Sequence, residues 1–577
     1  MKIANYKLQI IGYRLQVAYW LVIGVWLLPF STFSQYNLQL NREFNLLQRS
    51  SERYIIKKGK VYRDTLHPVP CGNAAWIATP DTAALFSSCF RPQIVPVSIC
   101  NRKTKHSLVR RKLFEENLFI VNDTADKFFL TIDPLFNFEF GRDYADSSKT
   151  FYKNTRGIIL RGSVGKKFSF ESSFYENQAT FVNYIDQYIK STSALFVNTK
   201  PYAYNVIPGQ GRSKQFQKTG YDFAMSAGYI SFSPDKHFNF QAGTAKHFIG
   251  DGYRSLLLSD NAFNYPFVRI TSSFGKFQYT NLYAVFMDLT DGGVTKPTGI
   301  ETLYQKKAAS FQFLSWNVHQ RIQLGFFQGM IWQASDSMNR QHLDYYYFSP
   351  VIYHAALAEG LAGKNNVLLG WTLKFKITNS ISLYGQYMMD DFSSTMNSLH
   401  NKTGFQVGVK YFDLFGIRNL HFQAEYNQVR PYSYASENAA QSYTHFNQPL
   451  AHPLGANFRE GIAFLNYRAG DFFAEVKINY ALIGKDSVGR NYGNSIFSSD
   501  NNAVYGINSA INAMGQGVKT TLQIIDFHVG YLVNPSTNFN IVVGLSDRSS
   551  ISQIANSQTK FVYFGIRTSL TNVYYDF

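Results

Sequence analysis

A glycine-containing stretch at residues 246–266, KHFIGDGYRSLLLSDNAFNYP, places charged, amide and aromatic side chains within a few positions of one another. Carboxylates and amides hydrogen-bond to hydroxyl groups, and aromatic faces pack against the apolar faces of sugar rings. The mixture suits a carbohydrate, and the candidate contacts are Lys246, Asp251, Tyr253, Arg254, Asp260 and Asn261. The alternative is that the same side chains fasten this loop to the wall of the protein. The G-x-x-x-x-G-K-[ST] spacing of a phosphate-binding loop is missing.

A second polar stretch, 430–458, adds four candidate sugar contacts: Arg430, Tyr432, His452 and Asn457. His445 and His452 stand seven positions apart and could share a metal ion with a carboxylate, but spacing within a loop says little and loop packing is the favoured explanation. Serine, histidine and acidic residues abound in both stretches, yet no spacing marks a nucleophile with its base. We therefore predict no catalytic residue, no metal site and no cofactor.

The composition limits the folds that can position these residues. Of 577 residues, 17% are aromatic and only 16% are charged, against about 25% charged residues in an average soluble protein. The mean hydropathy is −0.19, so apolar residues alternate with polar ones rather than forming the uninterrupted runs of a helical membrane protein. Disorder is also excluded as the main state, because so many aromatic side chains need burial.

From about residue 128 the apolar residues recur at every second position, which is the period of a β-strand with one apolar and one polar face. The pattern predicts eighteen strands of mostly membrane-spanning length at 129–141, 155–165, 168–180, 221–233, 238–249, 267–275, 277–289, 307–318, 322–333, 366–377, 381–392, 402–414, 419–431, 459–469, 472–484, 523–533, 538–549 and 561–570.

The connections between these strands alternate between short turns and long polar loops. The long ones are predicted at 181–220, 250–266, 290–306, 334–365, 393–401, 432–458, 485–522 and 550–560. Turns at one rim and loops at the other are typical of an outer-membrane barrel, in which the sheet closes so that every backbone group is paired. The predicted fold class is therefore all-β, a transmembrane antiparallel barrel of about eighteen strands.

Charged residues on the predicted strands show which face is inside, because a lysine or arginine facing lipid at mid-bilayer costs roughly 2–4 kcal/mol. The residues predicted to line the lumen are Lys374, Lys376, Lys410, Glu425, Glu475, Lys477, Asp526, His528 and Arg567. They either line a channel or pair with a plug inside it.

The C-terminus shows a break in this rhythm. Val562, Phe564 and Ile566 share one face, whereas Tyr575 and Phe577 have the opposite parity. A terminal Phe after an amphipathic strand resembles the signature recognised by the outer-membrane assembly machinery. Either a bulge lies near residues 570–572 or the last residues leave the membrane.

The N-terminal residues lack the barrel pattern. Residues 1–34 combine three basic residues with an apolar run at 17–30 and a small-residue exit, so we predict a secretory signal peptide. Residues 35–127 are predicted to form a periplasmic segment or a plug, with short helices at Leu38–Ile56 and Ser107–Val121. Cys71, Cys89 and Cys100 lie in this segment and permit a disulfide with one thiol left over. Residues 128–577 are predicted to form the barrel.

The formal net charge is +18, with basic clusters at 57–63 and 102–112. Because an exported chain meets no genomic nucleic acid, the anionic partners to expect are lipopolysaccharide phosphates or an acidic polysaccharide. Ordinary solvation of a periplasmic segment is the alternative.

Four segments carry a resemblance to a known family: 246–266, DYYYFSPVIYH (344–354), FQAEYNQVRPYSY (422–434) and HFNQPLAHPLGANF (445–458). With the barrel layout they resemble the capsule-assembly Wzi family and its gliding-associated RemB-like relatives, over roughly 128–577. The resemblance implies an eighteen-stranded outer-membrane barrel that holds capsular or exopolysaccharide at the cell surface and carries no catalytic chemistry. Segment 35–127 does not match it.

We therefore expect a non-enzymatic outer-membrane barrel that binds and organises surface polysaccharide, through loops 181–220, 250–266 and 432–458. The alternatives are a porin-like channel for sugars or other small solutes and, with less support in the sequence, an outer-membrane hydrolase.

Overall fold

The computed structural model describes residues 35–37, 54–57, 60–63, 94–96, 106–146, 150–194, 205–289, 305–335, 345–359, 365–391, 401–504, 512–568 and 570–577. The predicted signal peptide and the three cysteines lie outside these residues. No described helix combines the length and the apolar character that a membrane-crossing helix requires.

Eighteen long strands close into one antiparallel barrel, as predicted. They are β1 Phe128–Asp143, β2 Thr150–Val164, β3 Phe168–Ala179, β4 Gly220–Phe232, β5 Phe238–Ala245, β6 Tyr265–Phe274, β7 Phe277–Asp288, β8 Gln305–His319, β9 Ile322–Ser335, β10 Asn366–Lys376, β11 Ile381–Asp391, β12 Lys402–Phe412, β13 Leu420–Val429, β14 Phe458–Ala469, β15 Phe472–Lys485, β16 Val518–Asn534, β17 Phe539–Ser552 and β18 Asn556–Arg567.

Each strand pairs with its neighbour along the chain, and β18 pairs with β1 from Phe561↔Asp143 to Arg567↔Asn137. The short-turn rim contains the tight connections, such as Gly275 and Lys276 between β6 and β7, and the long-loop rim contains the polar loops. One predicted long loop is wrong: 550–560 is a turn of residues 553–555, because β17 continues to Ser552 and β18 begins at Asn556.

The outward face carries an apolar belt. Ile525, Phe527, Val543, Leu545 and Phe564 are among the many large apolar side chains that remain 39–49% exposed. The intervening residues face the lumen; some are polar, such as Asp526 and Ser546, and others, such as Ile524, are buried in the core. An apolar outside around a closed sheet is what a lipid bilayer requires, since no backbone group at the outer surface is left unpaired.

At the short-turn rim, residues of the N-terminal region complete the wall of the barrel. Strand β18 ends at Arg567, so the first residues of β1 lack β18 as a partner on that side. The short strand Phe119–Asp123 takes that position and pairs with β1 from Phe119↔Ile132 to Asp123↔Phe128. Helix α1, Leu108–Phe114, precedes it and lies against the β16–β17 turn, where Asn534 Nδ2 donates to the carbonyl of Lys112 over 3.1 Å.

Two helix predictions need correction. Helix α1 covers only part of Ser107–Val121, because the chain from Phe119 onward is drawn into the sheet. Tyr54–Lys57 forms a hairpin with Lys60–Arg63, so the end of the predicted helix at Leu38–Ile56 is a strand. The rest of that predicted helix lies outside the described residues.

A segment between β9 and β10 folds over the outside of the barrel rather than into the lumen. Tyr347 stacks on the outward Trp332 at 4.1 Å between ring centroids, and helix α3, His354–Glu359, follows. Beneath this segment, the outward side chains of Gln312 and Gln328 are 1% exposed and hydrogen-bond to each other at 2.9 Å. The segment thus covers polar groups that would otherwise face lipid.

Candidate functional site

Three segments of the described residues occupy the lumen, and together they are called the lumen plug. They are the central loop (residues 246–264, between β5 and β6), the second loop (residues 430–457, between β13 and β14) and the C-terminal tail (Thr568 and residues 570–577). Their side chains are mostly buried, and charged groups hold them to the wall.

Arg254 of the central loop is the hub of this assembly. Its side chain is 1% exposed, and its guanidinium donates to Glu460 on β14 at 3.0 Å and to Asp576 of the tail at 3.1 Å. A second bond, of 2.9 Å, reaches the carbonyl oxygen of Asp576. Burial alone lowers the pKa of Arg254, but the two carboxylates outweigh it and hold that pKa above its ordinary value. Arg254 is therefore a charged cross-link between wall, loop and tail.

Aromatic rings and backbone hydrogen bonds complete the environment of Arg254. Its guanidinium lies 4.9 Å from the Tyr253 ring centroid and 5.3 Å from that of Tyr574. Glu425 on β13 accepts the backbone N–H groups of Tyr253 and Arg254 at 2.8 and 3.2 Å. At Gly252 a Cβ would lie 2.3 Å from a Glu425 carboxylate oxygen, so only glycine permits this approach.

Aromatic residues of the second loop bind the backbone of the central loop. Tyr434 and Tyr443 donate to the carbonyls of Leu256 and Leu257 over 2.8 and 2.6 Å. Leu256, Leu257 and Leu258 are fully buried, in the same apolar cluster as Leu450 and Phe458. The run of three leucines is thus the core of the plug, which explains why so apolar a sequence occurs within a loop.

Lys246 ties the central loop to the tail. Its ammonium group donates to the carbonyls of Gly209, Asp260 and Asn572 at 2.7, 3.1 and 3.2 Å. Burial lowers the pKa of Lys246 to about 8, and the nearby charge of Asp260 opposes the shift only in part. Three backbone acceptors satisfy the three donors of the ammonium group.

The remaining candidate sugar contacts are also engaged within the protein. Asp251 accepts from Lys374 on β10 at 2.8 Å, and Asp260 accepts from Tyr574 at 2.8 Å. Asn261 donates to the Pro449 carbonyl at 3.0 Å, and His452 lies 2.8 Å from Glu460.

Two candidates in the second loop bind the neighbouring loop and the end of strand β15. Tyr432 donates to the Asn491 carbonyl at 2.8 Å, and Asn457 donates to the Gly484 carbonyl at 2.7 Å. Arg430 is half-buried. Of the two roles considered for these residues, fastening the loops is the one that the geometry displays.

The residues predicted to line the lumen all lie on the inward parity. Seven are buried (Lys374, Lys376, Lys410, Glu425, Glu475, Lys477 and Arg567), and Asp526 and His528 are half-buried. Lys477 contacts Asp526 on β16 and Asp576 of the tail. Of the two roles proposed for the mixed charge, pairing with a plug applies to Lys374, Glu425 and Lys477.

In the described part of the chain, metal binding or catalysis would depend on how histidine and acidic side chains are grouped. No group of three His, Cys, Asp or Glu side chains there has a metal-binding arrangement. His445 lies 3.4 Å from the Asn264 carbonyl and His452 lies on Glu460, so the two histidines do not share a site. Ser349 and His354 are 2.8 Å apart, but within the described residues no carboxylate hydrogen-bonds to that histidine.

The long-loop rim contains a cleft that the sequence did not predict. It holds about 170 Å³ between helix α2, Asn183–Ala194, and the hairpin that leads into β4. Gln215, Lys218 and Lys190 line it and are exposed, and Phe181 and Tyr221 lie at its base. Asp186 accepts from Tyr221 at 2.6 Å and from Lys190 at 2.7 Å. No local sequence motif marks the site, because its residues come from three separate segments.

A second cavity, of about 270 Å³, runs along the C-terminal tail inside the lumen. Its lining extends from Arg567 and Glu475, near the short-turn ends of their strands, to Thr559 and Phe151, near the long-loop ends. The tail itself supplies one side through residues 570–573, 575 and 576.

Comparison with known proteins gives likenesses of architecture. No family model matches the chain. No curated protein matches it either. Among solved structures, 76% of the chain aligns with 85% of Wzi from Escherichia coli at 14% identity and a TM-score of 0.45; Wzi is described as a carbohydrate-binding β-barrel involved in group 1 capsule assembly.

Two further solved barrels align with the same share of the chain. Pseudomonas aeruginosa OprD matches over 94% of its length at 9% identity and a TM-score of 0.39. Acinetobacter baumannii OccAB2 matches over 97% of its length at 10% identity and a TM-score of 0.40. At these identities function has to be argued from the residues of this chain.

Proposed function

We propose that this chain is a non-enzymatic outer-membrane barrel that binds capsular or exopolysaccharide at the cell surface through its long-loop rim. The observation that carries the proposal is the rim cleft, in which exposed amide and ammonium donors lie above an aromatic base. Its volume of about 170 Å³ is below that of a drug-sized pocket and suits one sugar unit of a longer chain. The resemblance of segments 246–266, 422–434 and 445–458 to the capsule-assembly family points the same way.

The filled lumen supports a scaffold rather than an open channel. An eighteen-stranded barrel is wide enough to contain water unless something occupies it. Here the central loop, the second loop and the tail occupy it. Arg254 joins the central loop to β14 and to the tail, and Tyr434 and Tyr443 join the second loop to the central loop. The candidate residues of the central loop thus serve the sugar site indirectly, by keeping the rim in shape. Lipopolysaccharide and the outer-membrane assembly machinery are the further partners we propose.

Binding of purified protein to polysaccharide extracted from the producing cells tests the proposal. Isothermal titration calorimetry with the double variant Gln215→Ala/Lys218→Ala should give an affinity lower by about tenfold or more, since two hydrogen bonds are lost. Both side chains are exposed and the substitution removes a hydrogen bond of 3.3 Å from Gln215 to the Lys218 carbonyl, so we expect the barrel to keep its fold. The matched control is Lys166→Ala/Lys167→Ala at the short-turn rim, also exposed. Equal affinities for the two double variants would remove the cleft from the binding site.

The second candidate is a porin-like channel for sugars or other small solutes. The 270 Å³ cavity favours it, because charged groups of both signs line this cavity along much of the lumen. Liposome swelling in sugar solutions separates the two functions: a scaffold leaves vesicles carrying the wild-type protein unswollen, whereas a channel swells them at a rate that falls with sugar size.

A further inference from the structure

The path of the C-terminal tail is unusual for the end of a strand. Thr568 still bonds to Phe136 of β1, with 2.9 Å between its backbone nitrogen and the Phe136 carbonyl. Beyond it the chain leaves the wall and enters the lumen. Phe577 ends beside α2, where its ring centroid lies 4.7 Å from that of Tyr188. Arg548 on β17 donates twice to the Phe577 carbonyl, at 3.1 and 3.0 Å.

Residue parity explains why the tail turns inward. On β18 the even-numbered Val562 and Phe564 face outward. If the strand continued, Asn572 and Asp576 would also face lipid, and a buried charge without a partner is expensive there. Inside the lumen Asp576 instead meets Arg254, Lys477 and the hydroxyl of Tyr253, at 3.1, 2.9 and 2.7 Å.

The wall does not depend on the tail. Strand β18 closes on β1 above Asn137, and the short strand Phe119–Asp123 pairs with β1 below that point. Residues 570–577 belong to no strand of the sheet. Their contacts are ion pairs, hydrogen bonds made by side chains or accepted by the tail carbonyls, and ring contacts at Tyr574, Tyr575 and Phe577, all of which can be remade.

The long cavity lies directly beside the tail. Strands β15–β18, β1 and β2 supply most of its lining, and the rest comes from residues 179–185 and from the tail. Withdrawal of the tail would merge its own volume with this cavity. The merged space would have Lys477, Glu475, Asp526 and Arg567 on its wall, so it would hold water and ions rather than lipid.

We propose that the C-terminal tail is a removable stopper, and that the barrel holds a latent passage for ions and small hydrophilic solutes which the tail closes. The passage is a different cavity from the rim cleft: Thr180 and Phe181 line both, but the tail residues that close the passage do not line the cleft. The conductance test below can therefore fail while the protein still binds polysaccharide, and polysaccharide binding can fail while the truncated barrel still conducts.

Single-channel recording in planar bilayers tests this with three proteins: wild type, a chain lacking residues 570–577, and Asp576→Asn. We expect the wild type to be nearly silent, the truncated barrel to conduct steadily, and Asp576→Asn to open intermittently. Asp547→Asn is the control, since Asp547 is a half-buried carboxylate with no tail contact. A truncated barrel with the circular dichroism of the wild type but no added conductance would overturn the proposal.

Adding the tail back as a peptide separates a stopper from a merely damaged barrel. The octapeptide LTNVYYDF, which reproduces residues 570–577, should block the truncated barrel in a concentration-dependent way. A peptide with Asn in place of Asp576 should need about 10- to 100-fold more, because charge-assisted hydrogen bonds to Arg254 and Lys477 are lost. If the truncated chain does not fold, carboxypeptidase treatment of the folded wild type and of the folded Asp576→Asn variant tests the proposal instead. Only the variant should lose its C-terminal residues, and equal trimming would contradict the proposal.

Discussion

Replacing Glu460 by Gln tests whether buried charge holds the plug together. Glu460 is fully buried and receives hydrogen bonds from Arg254, His452, Asn427 and Asn479 at 3.0, 2.8, 3.0 and 2.9 Å. The amide keeps the shape, but it loses the charge and turns an NH₂ group toward these donors. Removing one partner of a buried ion pair costs about 3–5 kcal/mol.

The cost should appear as local opening of the central loop and not as unfolding of the wall, because backbone hydrogen bonds to both neighbouring strands hold β14 in place regardless of its side chains. Trypsin cannot cut after Arg254 while that side chain is 1% exposed. When opening is fast relative to cleavage, the cleavage rate follows the opening equilibrium. A shift of 3 kcal/mol or more then raises cleavage at Arg254 by at least ~100-fold.

Mass spectrometry of timed tryptic digests in detergent measures this rate, with cleavage after the exposed Lys218 as internal standard. Glu475→Gln is the matched control, since Glu475 is a buried wall carboxylate that accepts from Asn466. If Glu460→Gln and Glu475→Gln cleave at Arg254 equally slowly, the ion-pair network does not secure the central loop and the reasoning fails.

Three further predictions concern stability. Burial lowers the pKa of Lys246 to about 8, so between pH 8 and 10 the unfolded chain binds more protons at this residue than the folded chain does, and stability should rise with pH. The melting temperature of the wild type minus that of Lys246→Met should therefore increase over this range. A constant difference would contradict the shift. Asn457 is fully buried with a φ of 57°, so Asn457→Ala should melt below Asn457→Gly by the equivalent of about 1–2 kcal/mol; equal melting points would exclude a backbone cost. On β17, Val543→Lys faces lipid and should cost about 2–4 kcal/mol in denaturant titrations in lipid vesicles, whereas Ser546→Lys faces the lumen cavity and should cost less; equal losses would contradict the assigned faces.

The wall and the plug follow different rules. In the wall, alternation along each strand assigns every side chain to lipid or lumen, and neighbours in sequence are neighbours in space. In the plug, Arg254 meets Glu460 and Asp576, residues 206 and 322 positions away. A partner at such a distance leaves no periodic trace in a single sequence.

The roles of the central-loop residues show the consequence. Arg254, Asp260 and Tyr253 have chemistry that suits a sugar, and the same chemistry binds the tail: Tyr253 donates to Asp576, and Asp260 accepts from Tyr574. Residue type predicts that such groups bind a polar partner. Whether the partner is a ligand or the protein itself depends on where the chain folds back.

The amino-acid sequence alone was sufficient for the eighteen strands, the inward direction of residues such as Lys374 and Lys477, and the break in parity at the C-terminus. These are local properties, because a strand repeats every two residues and lipid tolerates only one of its faces. The tertiary structure decided that the C-terminal tail enters the lumen, that 345–359 covers the outer wall, and that Gln215 and Lys190 share a cleft. Those contacts depend on loop closure between distant segments, where hydrogen-bond geometry and burial, rather than periodicity, select the partner.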